Sequence, residues 1–100
     1  MIGIVIIAHG DIAKAFREAV EFIVGEQTQF ETVSYHPSDE IDKCRESLMK
    51  SVQKVDSGNG VVVLADMFGS IPANLALSIK DGNKISIVNG MNLPLLIKLV

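Results

Sequence analysis

The 100 residues contain one cysteine, two histidines, three prolines and no tryptophan. A lone Cys44 excludes an internal disulfide and any cysteine-rich zinc site. No apolar run reaches the roughly 18 residues that a membrane-spanning helix needs. Met1 leads straight into Ile-Gly-Ile-Val-Ile-Ile, with no basic segment and no small-residue cleavage site, so no signal peptide and a cytoplasmic location are expected. Nine basic residues stand against twelve acidic ones, for a net charge of −3. That balance, without a basic cluster, argues against a duplex nucleic-acid binder. It fits a basic partner without naming one. No G-x-G-x-x-G follows the first apolar run and no P-loop occurs, which argues against nucleotide binding.

What remains is strongly apolar. Hydrophobic residues make up 48% of the chain and the mean hydropathy is +0.35, too apolar for disorder. The length fits one small soluble domain over residues 1–100. Ile2 to Ala8 is a short, β-branched, continuous run, the pattern of a strand buried on both faces. Asp11 can cap a helix in which Ile12, Phe16, Ala19, Val20 and Ile23 recur at helical spacing, with Gly25 as its stop. Phe30 to Tyr35 reads as a second strand, ended by Pro37. Ser38 or Asp39 can open the next helix, where Ile41, Cys44, Leu48, Val52 and Val55 form an apolar stripe.

Ser57-Gly58-Asn59-Gly60 is a turn cluster. Val61 to Asp66 follows as the third strand. Pro72 suits the first turn of a helix that continues from Ala73 to Ile79. Asp81-Gly82-Asn83 reads as a turn, Lys84 to Asn89 as the fourth strand, and Leu93 onward as a last helix with Pro94 in its first turn. This βαβαβαβα order predicts an α/β fold: a three-layer structure with a mainly parallel four-stranded sheet, order 2-1-3-4, and helices on both faces. The first and third strands are then neighbours at a topological switch, where such sheets gather their chemistry beyond the strands' carboxyl ends.

The first strand ends in Ala8-His9-Gly10 and the third in Asp66-Met67-Phe68-Gly69-Ser70. On this topology His9 and Asp66 leave adjacent strands at the same edge. Asp66 could accept the hydrogen of one ring nitrogen and fix the tautomer, leaving the other nitrogen as a nucleophile. Gly10 and Gly69 would let backbone approach closely. Amides near Gly69, Ser70 and Ile71, at a helix N-terminus, could hold an anion such as a phosphoryl group.

Three segments carry a resemblance: the opening strand with His-Gly (Ile4 to Gly10), the Asp66 to Asn74 loop, and Asn89-Gly90-Met91-Asn92-Leu93-Pro94-Leu95-Leu96. With them, in register along the whole chain, the sequence resembles the IIA domain of the mannose family of bacterial phosphoenolpyruvate-dependent sugar phosphotransferase systems. The resemblance implies that His9 takes a phosphoryl group from the phosphohistidine carrier HPr and passes it to a histidine on a IIB domain. It implies that Asp66 orients the imidazole and that the loop of Gly69 to Ile71 surrounds the phosphoryl group. It implies no metal or organic cofactor, contact with the membrane only through transporter subunits, and a homodimer with an exchanged C-terminal strand. Two departures follow. The family usually has a hydroxyl residue just before the loop proline, where this chain has Ile71. Ser70 is one position earlier, and the backbone amide of residue 71 survives the change, so weakened phosphate stabilisation is expected. The family's domains usually run beyond the position of Val100, so the exchanged strand is expected to be missing.

Other residues have competing readings. His36 follows the second strand and should share the edge with His9, either as a docking residue or as a solvated loop histidine. Phe68, Met67 and Met91 can form an apolar docking rim or fill the core. Asn92 can serve the site or cap the last helix. Cys44 reads as packing. Among rival functions, histidine phosphatases place an arginine where this chain has Ala8. Small tetrapyrrole chelatases need further polar metal ligands that are lacking here. A phosphorylation-dependent regulatory module uncoupled from transport would show the same acceptor chemistry and stays open beside the relay.

Overall fold

Strands that are apolar on both faces need cover on both faces, and the architecture provides it. The computed structural model describes residues 2–67, 69–80 and 84–100. Met1, Phe68 and the expected turn at Asp81-Gly82-Asn83 lie outside the described residues. The elements run β1 (Gly3–His9), α1 (Ile12–Val24), β2 (Phe30–Tyr35), α2 (Ile41–Val55), β3 (Val61–Ala65), α3 (Ile71–Ser78), β4 (Ile85–Asn89) and α4 (Leu93–Leu99). The strands form one sheet in the order β2-β1-β3-β4, and each neighbouring pair is parallel.

Alternate residues of β1 feed two separate cores. Val5 and Ile7 point to one face, where they join Cys44, Leu48, Val52 and Val55 of α2 and Ala73, Leu75 and Ala76 of α3. Ile4, Ile6 and Ala8 point to the other face and meet Ala13 and Val20 of α1 and Leu96 of α4. This is the three-layer α/β arrangement that the alternation predicts, because a parallel sheet with right-handed crossovers places helices on both sides. At the start of β1 the packing leaves no room for a side chain. A Cβ on Gly3 would collide with the Val55 carbonyl oxygen and come within 2.7 Å of Val55 Cγ2.

Several local expectations shift by a residue or two. β3 ends at Ala65, which leaves Asp66 just outside the ladder. α1 starts after Asp11, but the Asp11 side chain makes no capping bond. α2 starts after Glu40, beyond Ser38 and Asp39. Asp39 instead accepts the His36 backbone N–H at 2.8 Å, closing the β2–α2 turn. In the predicted α2 stripe, Cys44, Leu48, Val52 and Val55 are buried while Ile41 is exposed. Pro72 and Pro94 sit in the first turns of α3 and α4, as expected.

Candidate active site

Registers bring the chemistry together at the carboxyl edge of the sheet. Ile7 of β1 lies opposite Ala65 of β3, so the next residues along, Ala8-His9 and Asp66, leave the sheet side by side. Asp66 Oδ2 accepts the His9 backbone N–H at 3.1 Å and lies 2.6 Å from the ring Nδ1. An ionised carboxylate only accepts, so Nδ1 carries the hydrogen, and in the neutral ring Nε2 keeps its lone pair. The His9 side chain is 44% exposed, while that of Asp66 is only 12% exposed. The orienting group is thus sheltered and the oriented one open to a partner. Burial pushes the Asp66 carboxyl up. The hydrogen bonds from the His9 amide and ring, the electrostatic attraction of His9 and a bond from Asp66's own amide outweigh that burial. The net shift is downward from the ordinary 3.8, which keeps Asp66 ionised at neutral pH.

A further contact was not foreseen from the sequence. The Tyr35 ring stands edge-on to the His9 ring, with centroids 6.0 Å apart and planes at 77°. Tyr35 is the last residue of β2 and pairs with His9 in register. The signal was present in the 2-1-3-4 order, which places the ends of the first two strands together. Gly10 follows, donating to the Tyr35 carbonyl at 2.8 Å.

The loop after Asp66 uses glycine for its backbone. Gly10 and Gly69 adopt φ of 54° and 79°, in the region that disfavours other residues. A Cβ on either would meet open space, so conformation rather than crowding calls for glycine here. Ser70 caps α3, its Oγ accepting the Ala73 N–H at 3.2 Å. Its hydroxyl donates to the Met67 carbonyl at 2.7 Å and lies 3.5 Å from Asp66 Oδ1. The Ser70 hydroxyl is therefore engaged inside the loop. The amides of Ser70 and Asn74 are bonded to Met67 O and Ser70 O, and Pro72 has none. Gly69 and Ile71 retain N–H groups that no described residue accepts.

The remaining candidates separate. His36 lies one residue past β2 on the same edge, with its ring Nδ1 3.4 Å from Asp39 Oδ2. Asn92 caps α4, accepting the Leu95 N–H at 2.9 Å. Met91 packs partly buried against the α1–α4 core, whereas Met67, Ile12 and Ile71 expose apolar side chains. Phe68 lies outside the described residues. Cys44 is buried, and burial, then the charge of Asp39, push its thiol up, consistent with packing rather than reactivity. Among the described residues no group of three or more metal-ligating side chains gathers, and no helix is long and apolar enough to cross a membrane.

A family model described as "PTS system fructose IIA component" (EIIA-man) matches residues 3–100. The chain belongs to this mannose-type IIA family of the phosphotransferase system. It is 29% identical to the fructose-specific EIIA component of Bacillus subtilis (strain 168), over all of this chain and 69% of that protein. It is 30% identical to the mannose-specific EIIAB component of Escherichia coli (strain K12), over 97% of this chain and 30% of that protein. The crystal structure of the PTS IIA protein associated with the fucose utilization operon from Streptococcus pneumoniae superposes with a TM-score of 0.89. That match is 34% identical and covers 97% of this chain and 74% of that one. As a IIA-family member, the chain is a component of a sugar phosphotransferase system.

Proposed function

We propose that the chain is a phosphoryl relay: His9 accepts a phosphoryl group from phospho-HPr and passes it to a histidine of a IIB domain during carbohydrate uptake. The observation that carries this reading is the 2.6 Å contact of His9 Nδ1 with Asp66 on a half-exposed ring. Neutral Nε2 attacks the phosphorus of the donor's phosphohistidine in line. The N–P bond to the donor breaks as the bond to Nε2 forms, and the donor imidazole regains its lone pair. Asp66 keeps the Nδ1 hydrogen in place and offsets the positive charge that develops on the ring. The N–H groups of Gly69 and Ile71 are the donors open to the phosphoryl oxygens. Much of the rate comes from holding two imidazoles across an interface.

Exposed Met67, Ile12 and Ile71 at this edge offer apolar area on which a carrier protein can dock, with His36 on its rim. The relay works in the cytoplasm, reaches the membrane only through the transporter subunits, and belongs to a homodimer. The test is incubation with phosphoenolpyruvate, Enzyme I and HPr, followed by intact-mass measurement beside a His9→Ala control. One added phosphoryl group, absent from the control, is expected. A folded parent that gains none overturns the reading. Addition of a cognate IIB domain then separates transport from regulation, because only a relay loses the group to IIB.

A further inference from the structure

Ser70 is buried, only 8% exposed, and it lies in the loop that carries Asp66. The hydroxyl oxygen touches three parts of that loop at once. It donates to the Met67 carbonyl, accepts from the first turn of α3, and faces the Asp66 oxygen that His9 does not use. We infer that Ser70 is a positioning residue, which acts on His9 through Asp66 and contacts the phosphoryl group only by way of the loop it shapes. This rests on the relay reading for its catalytic consequence and extends it to the geometry behind the acceptor.

The argument is one of constraint. Asp66 stands one residue past the end of β3, where the ladder no longer holds its backbone. Its Oδ2 is fixed by two bonds from His9. Asp66's own amide adds a bond to the carboxyl, and that amide belongs to the loop rather than to the ladder. The Ser70 Oγ lies 3.5 Å from the opposite oxygen, but its single hydrogen goes to the Met67 carbonyl, so its hold on Asp66 runs through the backbone of the next residue. Its bond to the Met67 carbonyl ties the residue after Asp66 to the start of α3, a helix anchored in the core through Ala73, Leu75 and Ala76. The Ala73 N–H completes the connection, so that the residue after Asp66 and the start of the helix are joined through one oxygen atom. A side chain that was a direct phosphoryl ligand would present its hydroxyl to solvent, and this one is spent inside.

The test uses nitrogen-15 shifts of the His9 ring, which report the tautomer without any phosphoryl transfer. The parent is expected to hold the hydrogen on Nδ1. Ser70→Ala and Ser70→Gly both delete the hydroxyl, but glycine is itself an acceptable helix N-cap, so Ser70→Gly keeps the start of α3 intact. Both variants are expected to move the ring towards a tautomer mixture and to slow phosphoryl transfer roughly tenfold, with KM for phospho-HPr unchanged. Ser70→Thr, which keeps an Oγ, is expected to restore the parent shifts. Parent-like ring shifts and transfer rate in both Ser70→Ala and Ser70→Gly overturn the inference. A parent that fails to take a phosphoryl group overturns the relay instead, and leaves the tautomer result standing on its own.

Discussion

Two histidines stand where adjacent strands finish, His9 as the last residue of β1 and His36 one residue past β2, and each faces an aspartate. His9 offers its backbone N–H and its ring Nδ1 to Asp66 Oδ2, whereas His36 donates its backbone N–H to Asp39 Oδ2 and keeps its ring Nδ1 3.4 Å away. The difference lies in where the carboxylate comes from. Asp39 is three residues along the same turn and its side chain is 39% exposed, so solvent screens the pair and the contact at 3.4 Å is loose. Asp66 is 57 residues away in sequence, brought in by the β1–β3 pairing and sheltered beneath the ring. The first arrangement is a turn that any local sequence could make. The second exists only when the whole sheet is assembled, which is why its geometry can be held tightly enough for chemistry.

Cutting each carboxylate in turn breaks this comparison most directly. Asp66→Ala should slow phosphoryl transfer to His9 on the order of 10²-fold through lost orientation, with the fold retained by circular dichroism. Asp39→Ala should leave the transfer rate within about twofold, the result expected for a screened surface pair. Rapid-quench kinetics with phospho-HPr checks both, and equal losses would dissolve the distinction drawn here.

A stability measurement sharpens it next. Gly3 sits at the far end of β1 from both histidines and has no room for a Cβ. Gly3→Ala should cost about 1–3 kcal/mol of stability by overpacking, read as a lower urea midpoint. The His9 tautomer should stay as in the parent as long as the chain is folded. The smallest effect is on the acid side. The folded Asp66 pKa lies below its unfolded value of about 3.8, so between the two the unfolded chain binds more protons and acidification favours unfolding. The stabilisation from Asp66 is present above that range and lost as pH falls through the folded pKa. Asp66→Ala should flatten this part of the stability profile measured by urea titration at a series of pH values.

Much of this was legible in the sequence, for physical reasons that can be named. β2 falls on Phe30–Tyr35 as read, because Gly and Pro punctuation bounds a β-branched and aromatic run. The alternation of apolar runs with helical stripes determines a parallel sheet, and a parallel sheet in the order 2-1-3-4 puts His9 beside Asp66. What escaped were side-chain directions at the ends of elements. Asp11 precedes a helix without capping it, and Ser70, read only for the phosphoryl loop, caps α3, whereas the reading of Asn92 as a cap holds. The Ser70 hydroxyl turns into the loop, where composition alone could as readily have aimed it outward. Tyr35 against His9 was implied by register but is invisible to any reading of β2 by itself. Such details depend on a few bonds worth about 1 kcal/mol each, too small to leave a pattern in the sequence.

The claim that Asp66 holds Nδ1 and leaves Nε2 to react can be put to one measurement. The protein is phosphorylated by phosphoenolpyruvate, Enzyme I and HPr, and the phosphohistidine is examined by proton–phosphorus correlation NMR, which distinguishes the two ring positions. Phosphorus attached to Nε2 of His9 is the predicted result. Phosphorus on Nδ1, or on His36, would contradict the account.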